Sequence, residues 1–443
     1  MSAAATIAAR RREAETRFAA EGLPHRRIEA WHYTDLRRAL PDDLHPPARF
    51  AGAVMRDGGL TDPFAGVEAD TLVFANGFYR ADISRLPETP AIQIADLSGP
   101  LPDWAERALG ASRGPEAGPM ADLALARQTS GIAIRVSHNF HAERPLHLAF
   151  VNRSASGEAR HIRILLVLGT DAHLTLLESH AGIPLLPPQA GGDGDRRSPE
   201  GGQNGGLTNL AVELHPEANA RLTHLKIAND AADDIHVATL LGTLHANATY
   251  DAAIGAGQGA LARHETQLKL AQRMGHARMT GFAILGGRQH ADITAVIDHA
   301  VREGRSDLVF KNVLAGRARG VAQGRIIVRE GAIGTDSRQQ TRALLLSRTA
   351  EADAKPELEI HADDVVCSHG AAIGDLDADA LFYLRSRGIP LAQARALLTE
   401  AFLEEALDRL PAGPAADAMR AVVLARLHAL EASSDPARLA AEE

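Results

Sequence analysis

Cys367 and His369 stand two residues apart in the run Asp363-Asp364-Val365-Val366-Cys367-Ser368-His369-Gly370-Ala371. If that run is extended, alternate side chains point to the same face, so a thiol and an imidazole lie side by side. A thiolate with an imidazole is part of a site for a soft or borderline metal such as iron. Two donors complete neither a tetrahedral site nor a cluster, so a second chain would have to supply the rest. The plainer reading, a buried cysteine beside a turn histidine, fits the spacing equally well. A Cys–His nucleophile pair is a third reading, disfavoured because neighbours on one strand seldom reach the hydrogen-bond geometry it needs. Cys367 is the single cysteine of the 443 residues. An intramolecular disulfide is therefore impossible, as is a metal site built from several cysteines of one chain.

Other familiar chemistries lack their residues. The chain has no Gly-x-x-x-x-Gly-Lys-Ser/Thr loop and so binds no nucleotide by that means. It has no Gly-x-Ser-x-Gly elbow and no His-Glu-x-x-His helix. Gly255-Ala-Gly257-Gln-Gly259 has the wrong spacing for a dinucleotide loop, and no βαβ pattern surrounds it. Twenty histidines are many. Most, such as His147, His161, His173, His215, His224, His236 and His245, stand singly in apolar runs and read as structural. His264, Glu265 and His276 come near Arg263, Arg273 and Arg278 in sequence, and stacked coils could line them along one edge.

The elements that would position the Cys–His pair come from the pattern of short apolar runs. Between residues 131 and 374 such runs follow one another, separated by Gly, Asn, Asp and His. Ile132–Val136, Leu146–Val151, Ile162–Leu168, Arg221–Ile227, Asp292–Ile297 and Arg325–Val328 are examples. Runs of this length between turn residues predict strands. No long amphipathic helices intervene, which disfavours a βαβ sheet. Glycines at positions such as 275, 281, 286, 287, 304, 316, 320, 324, 331 and 334 would serve sharp corners. Many short strands with small corners favour a β-helix over a sandwich, although no strict period is visible. The expected fold is mainly β: a parallel β-helix over 131–374, flanked by a mainly helical N-terminal domain (1–130) and a helical C-terminal domain (375–443). Residues 182–206, rich in Gly, Pro, Asp and Arg, read as a mobile loop between two strands. In the tail, Asp375 or Asp377 caps a helix that Gly388 stops. The next helix, from Leu391, would bury Ala394, Leu397, Leu398, Ala401 and Phe402 and leave Glu400, Glu404 and Glu405 outside.

Composition narrows the function classes. The formal charge is −9, which argues against a broad nucleic-acid surface. Aromatic residues make up only 4%, whereas a β-helix enzyme cleaving polysaccharide, the rival reading, would line its groove with them. The charged opening lacks an apolar signal region, and no run approaches the ~18 apolar residues that span a bilayer. The expectation is a cytoplasmic protein without membrane contact.

Longer motifs carry a family resemblance. Glu29-Ala-Trp-His-Tyr-Thr-Asp-Leu36, Ser337-Arg-Gln-Gln-Thr-Arg-Ala-Leu-Leu-Leu-Ser347, Ala350–Ile360, Asp363–Ala371 and Leu381-Phe-Tyr-Leu-Arg-Ser-Arg-Gly-Ile389 together resemble the SufB/SufD family of SUF iron–sulfur cluster assembly scaffolds. The stretch after Ser337 is of the SufD kind, lacking the cysteine found there in SufB. The resemblance implies a non-enzymatic, right-handed β-helix subunit of a SufBCD complex. It implies pairing with SufB through the β-helix, with His369, and less firmly Cys367, beside a SufB cysteine at a nascent cluster. It also implies that the ATPase SufC docks on the C-terminal helices, at Leu381, Phe382, Tyr383, Arg385 and Arg387. Whether a flavin joins the complex, and whether the isolated chain forms a homodimer that serves only to bind SufC, stay open at this point.

Overall fold

A computed structural model describes residues 3–41, 43–49, 62–111, 118–153, 157–183 and 205–433. The loop expected at 182–206 therefore lies, but for its ends, outside the described residues.

Two sheets face each other, and successive strands alternate between them. The first sheet runs Asp70–Ala75, Leu146–Arg153, His173–Ile183, Arg221–Asn229, Thr249–Gln258, His276–Leu285, Arg305–Leu314, Asp336–Leu345 and Val366–Gly374, every neighbouring pair parallel. The second runs Ser130–Val136, Ala159–Leu168, Leu207–Pro216, Ile235–Leu244, Leu261–Leu270, His290–His299, Arg319–Val328 and Glu351–Ile360, also parallel. Short antiparallel strands, Phe78–Tyr79 and Ile92–Asp96, close the N-terminal end. This is the parallel β-helix that the run pattern predicts. Strand Asp70–Ala75 pairs with Leu146–Val151, so the sheets begin well before residue 131.

His276, Arg305, Asp336 and Val366 stack in register, one per coil of about 30 residues. Corners of unequal length blur that period in the sequence. One corner is built differently from expectation. Asn139, Asp171, Asn219, Asn247, Met274 and Glu303 take left-handed φ between 56° and 64°, a region Asn and Asp tolerate better than most residues. Except at Met274, their backbone N–H groups bond the next coil, as Asn219 does to Ala246 and Asn247 to Arg273. The Asn247 side chain also donates to Asn219 Oδ1 at 3.0 Å. Of the glycines expected at corners, 287, 316, 331 and 334 have positive φ. Gly281, Gly320 and Gly324 instead lie within strands. A Cβ at Gly281 would sit 2.7 Å from Phe310 Cδ1 and 3.1 Å from Ile293 Cδ1. Gly281→Ala is expected to overpack this layer and cost about 1–3 kcal/mol, read as a lower thermal midpoint with an unchanged far-UV spectrum.

Alternation decides what fills the lumen. On Arg305–Leu314, Leu308, Phe310 and Leu314 point inward, and on His290–His299 so do Ala291, Ile293, Ala295 and Ile297. The opposite faces are covered by helices. Phe18 of helix Ala3–Glu21, with Trp31, Leu36, Met120 and Leu123, packs on Ile235, Val237 and Leu261 of the second sheet. Helices Leu391–Leu407 and Pro414–Ser433 pack Leu403, Leu407, Met419, Val423 and Leu427 on Phe282, Ile284, Val309 and Val313 of the first.

The buried face of Leu391–Leu407 differs from the expected stripe. Ala394, Leu403, Ala406 and Leu407 are buried, whereas Leu397 and Ala401 are exposed. Two acidic residues border this face. Glu405 pairs at 2.6 Å with Lys311, whose side chain is fully buried, and Glu404 pairs with Arg420. These carboxylates stay partly exposed, at the border of the apolar contact that Leu403, Ala406 and Leu407 make. The Trp31 segment is likewise an anchor. Arg263 lies 4.0 Å from its ring centroid, and Thr34 donates to Asp292 at 2.6 Å. Arg263, Arg273 and Arg278 do not line one edge. Arg263 lies beneath Trp31, Arg273 pairs with Glu303, and Arg278 with Asp251.

Candidate functional site at the open end of the β-helix

Strands Glu351–Ile360 and Val366–Gly374 are the last of their sheets. An edge strand presents unpaired N–H and C=O groups, and natural proteins usually cover or blunt it. Here two such edges lie side by side, with Val366 63%, Ile373 46% and Ile360 44% exposed. Among the described residues no further strand continues either sheet beyond this rim.

Register fixes which way the Cys–His pair faces. Cys367 lies opposite Ser337 and His369 opposite Gln339. Ser337 and Gln339 are buried. Ser337 receives support from below, in a chain from His299 Nε2 to Ser306 Oγ (2.9 Å) and on to Ser337 Oγ (2.6 Å). Cys367 and His369 thus continue the inward face at the rim. Cys367 is half-buried and packs against the lumen core. Its burial, with Asp336 nearby, pushes the thiol above its ordinary range. His369 is exposed because the lumen ends there.

Beyond the rim, Asp377 caps helix Ala378–Ser386, accepting from the N–H groups of Asp379 and Ala380. Gly388, with φ 86°, ends it. Its side chains have little to pack on. Phe382 is 74% and Tyr383 57% exposed, Arg385 and Arg387 are exposed, and Leu381 is half-buried. The Arg387 guanidinium stacks 5.0 Å from the Tyr383 ring centroid.

A second polar cluster, which the histidine spacing did not reveal, fills the lumen nearer the N-terminal end. Glu178 and His180, from strand His173–Ile183, meet His224 and Lys226 of the next coil and His236 and His264 of the facing sheet. Glu178 holds three cations or donors: Lys226 Nζ at 2.6 Å, His180 Nε2 at 2.6 Å and His224 Nε2 at 3.1 Å. Burial alone would raise the Glu178 carboxyl, but Lys226 and the two imidazoles hold it well below its usual value. Burial, with His236 nearby, lowers His180 to about 4. It also drives His264 well below its ordinary range, Lys226 adding to the effect. These rings are therefore neutral at physiological pH. Two alternations give a hint, since Glu178/His180 and His224/Lys226 each sit two apart and so share a face. Their meeting depends on coil register, which irregular corners and the 182–206 insertion hide.

Known proteins share this architecture's sequence. The family model described as SUF system FeS cluster assembly, SufBD core domain, matches residues 150–402. An iron–sulfur cluster assembly SufBD family protein of Synechocystis sp. is 30% identical over 410 residues, covering 88% of this chain and 84% of that protein. The iron–sulfur cluster assembly protein SufD of Escherichia coli is 29% identical over 398 residues, covering 88% of this chain and 86% of that protein. Since the match extends from the early coils through the open rim to the exposed helix beyond it, this chain belongs to the SufBD family of SUF-system iron–sulfur cluster assembly proteins.

Proposed function

We propose that this chain is a non-catalytic scaffold subunit of the SufD kind, which pairs through its open β-helix rim with a SufB-type subunit. The observation that carries the proposal is the uncovered double edge at Glu351–Ile360 and Val366–Gly374, with apolar side chains facing solvent. A second β-helix end continuing these sheets would satisfy the backbone and cover Val366 and Ile373. His369 then meets the partner at the seam, where its imidazole is a ligand for a cluster that is the complex's cargo. Cys367 is a weaker donor, since metal must displace the proton that burial favours.

The exposed helix Ala378–Ser386 is the docking site for a SufC-type ATPase. It offers Phe382, Tyr383, Arg385 and Arg387, with Leu381 at its base. Aromatic and arginine side chains that protrude together are the composition of interface hot spots. ATP-driven pairing of two such ATPases would pull on the helical tails and rework the seam where His369 lies. This chain's sequence contains no phosphate loop of its own. The reading places the complex in the cytoplasm.

Co-expression with SufB and SufC from the Escherichia coli relative's system tests this directly. The tagged chain is expected to retain both partners. The double variant Phe382→Asp/Tyr383→Asp is expected to lose SufC, keep SufB and melt as the native chain does, because both side chains are exposed. Failure of the native chain to retain SufB removes the pairing. Retention of SufC alone by a dimer of this chain would favour the purely structural homodimer. Flavin carried by the complex would be visible in the same preparation by its absorbance.

A further inference from the structure

Three ligating groups converge in the lumen cluster, away from the rim. His180, Asp230 and His236 each place one donor atom within 4.8 Å of the others, and all three are at most 1% exposed. The hydrogen bonds around them leave these donors unused. His180 gives Nε2 to Glu178, while its Nδ1 has no partner. Asp230 is a buried carboxylate with no hydrogen bond to either oxygen. His236 Nδ1 lies 3.1 Å from Asp230 Oδ2 without hydrogen-bond alignment, and its Nε2 is also unpartnered. Both ring nitrogens of His264, whose centroid is 5.0 Å from that of His236, are unpartnered as well.

A buried carboxylate whose near neighbour is the His236 ring, and several orphaned imidazole nitrogens, are costly in a closed lumen. The Glu178–His180 bond supplies a further sign. A carboxylate that fixes one imidazole nitrogen and leaves the other lone pair free is the usual support behind a metal-binding histidine. Lys226 neutralises Glu178, so the negative charge of Asp230 is the one left for a cation.

We propose that His180, Asp230 and His236 form a buried site for a borderline divalent transition metal, zinc or ferrous iron, inside the β-helix. Two imidazoles and one carboxylate are the donor set these ions accept, and they leave a coordination position open. Bonds of about 2.0–2.1 Å need donor atoms about 3.3 Å apart, so binding would draw the three side chains together from their present separations of up to 4.8 Å. The site is separate from the rim, because Gly281, Ile293 and Phe310 pack the lumen between them. It stands whether or not the scaffold reading does.

The test uses the full chain, expressed in medium supplemented with zinc or with cobalt(II) and dialysed before metal analysis. The expected result is about one metal per chain, with visible d–d bands in the cobalt form. Asp230→Asn and His236→Gln are expected to lower affinity on the order of 100-fold, while His369→Ala and Cys367→Ser retain the metal. Native chain without stoichiometric metal overturns the proposal, as does metal held equally by Asp230→Asn or lost in the rim variants. Should His236→Gln fail to fold, Asp230→Asn, which keeps the shape of the side chain, carries the comparison. Thermal midpoints with and without metal give a second readout, since a ligand that binds only the folded chain raises the native midpoint.

Discussion

Replacing His369 with alanine is expected to lower cluster build-up on the purified complex by on the order of tenfold or more, while the thermal midpoint of the chain stays where it was. The two halves of that expectation come from one fact. His369 is exposed at the rim, so its removal should change stability by no more than about 0.5 kcal/mol. On the proposed reading, what it loses is a ligand at the seam. Cys367→Ser is expected to do less to build-up, because burial and Asp336 push that thiol above its ordinary range, so a metal displaces its proton less readily. Iron and sulfide bound to the complex, followed by absorbance over time, measure the effect. Build-up by His369→Ala at the native rate would remove the ligand role, and a greater loss in Cys367→Ser would reverse the assignment of the two donors.

The largest stability effect is expected at Arg263. Its guanidinium is fully buried and pairs with Asp292 and, at 3.1 Å, with Glu265. It donates to the Ala30 carbonyl at 2.8 Å and stacks on Trp31. Arg263→Met fills similar space but leaves two buried carboxylates without their cation and frees the N-terminal anchor. The expected cost is about 3–5 kcal/mol. Its pH dependence has a definite sign. Burial would raise the Asp292 carboxyl, but Arg263 holds it below the ordinary value. In the native chain this contribution is complete above the unfolded carboxylate value and is lost as pH falls through the lower folded value. In the variant, burial acts unopposed and the carboxyl takes up a proton more readily. The difference between native and variant should therefore be greatest near pH 7 and shrink towards about pH 4. Urea unfolding followed by Trp fluorescence checks both. An equal difference at the two pH values would mean that packing, not charge, sets the cost.

The two predictions draw on different levels of information. The β character of the middle of the chain, the helical ends and the caps at Asp377 and Gly388 follow from local rules: alternation, turn residues and left-handed stops. The shared face of Cys367 and His369 follows from a spacing of two on a strand. The motifs around them were sufficient for the family resemblance. Strands such as Thr249–Gln258 and Leu261–Leu270 carry a weaker pattern, because their inward positions hold small and polar residues, Ala252, Ala256, His264 and Thr266, that the closed lumen shields from solvent.

Which residues meet across coils is a different kind of fact. Asp292 finds Arg263 and Thr34 only because three distant segments are stacked in one register. The face that helix Leu391–Leu407 buries is the one whose Leu403, Ala406 and Leu407 meet Phe282, Val309 and Val313 of the sheet, and Lys311 and Arg420 reach Glu405 and Glu404 at its border. Local order is encoded within a few residues, by steric and hydrogen-bonding preferences that need no partner. The meeting of His180, Asp230 and His236 depends on the sum of every corner length between them, and that sum is fixed only when the coils close on one another.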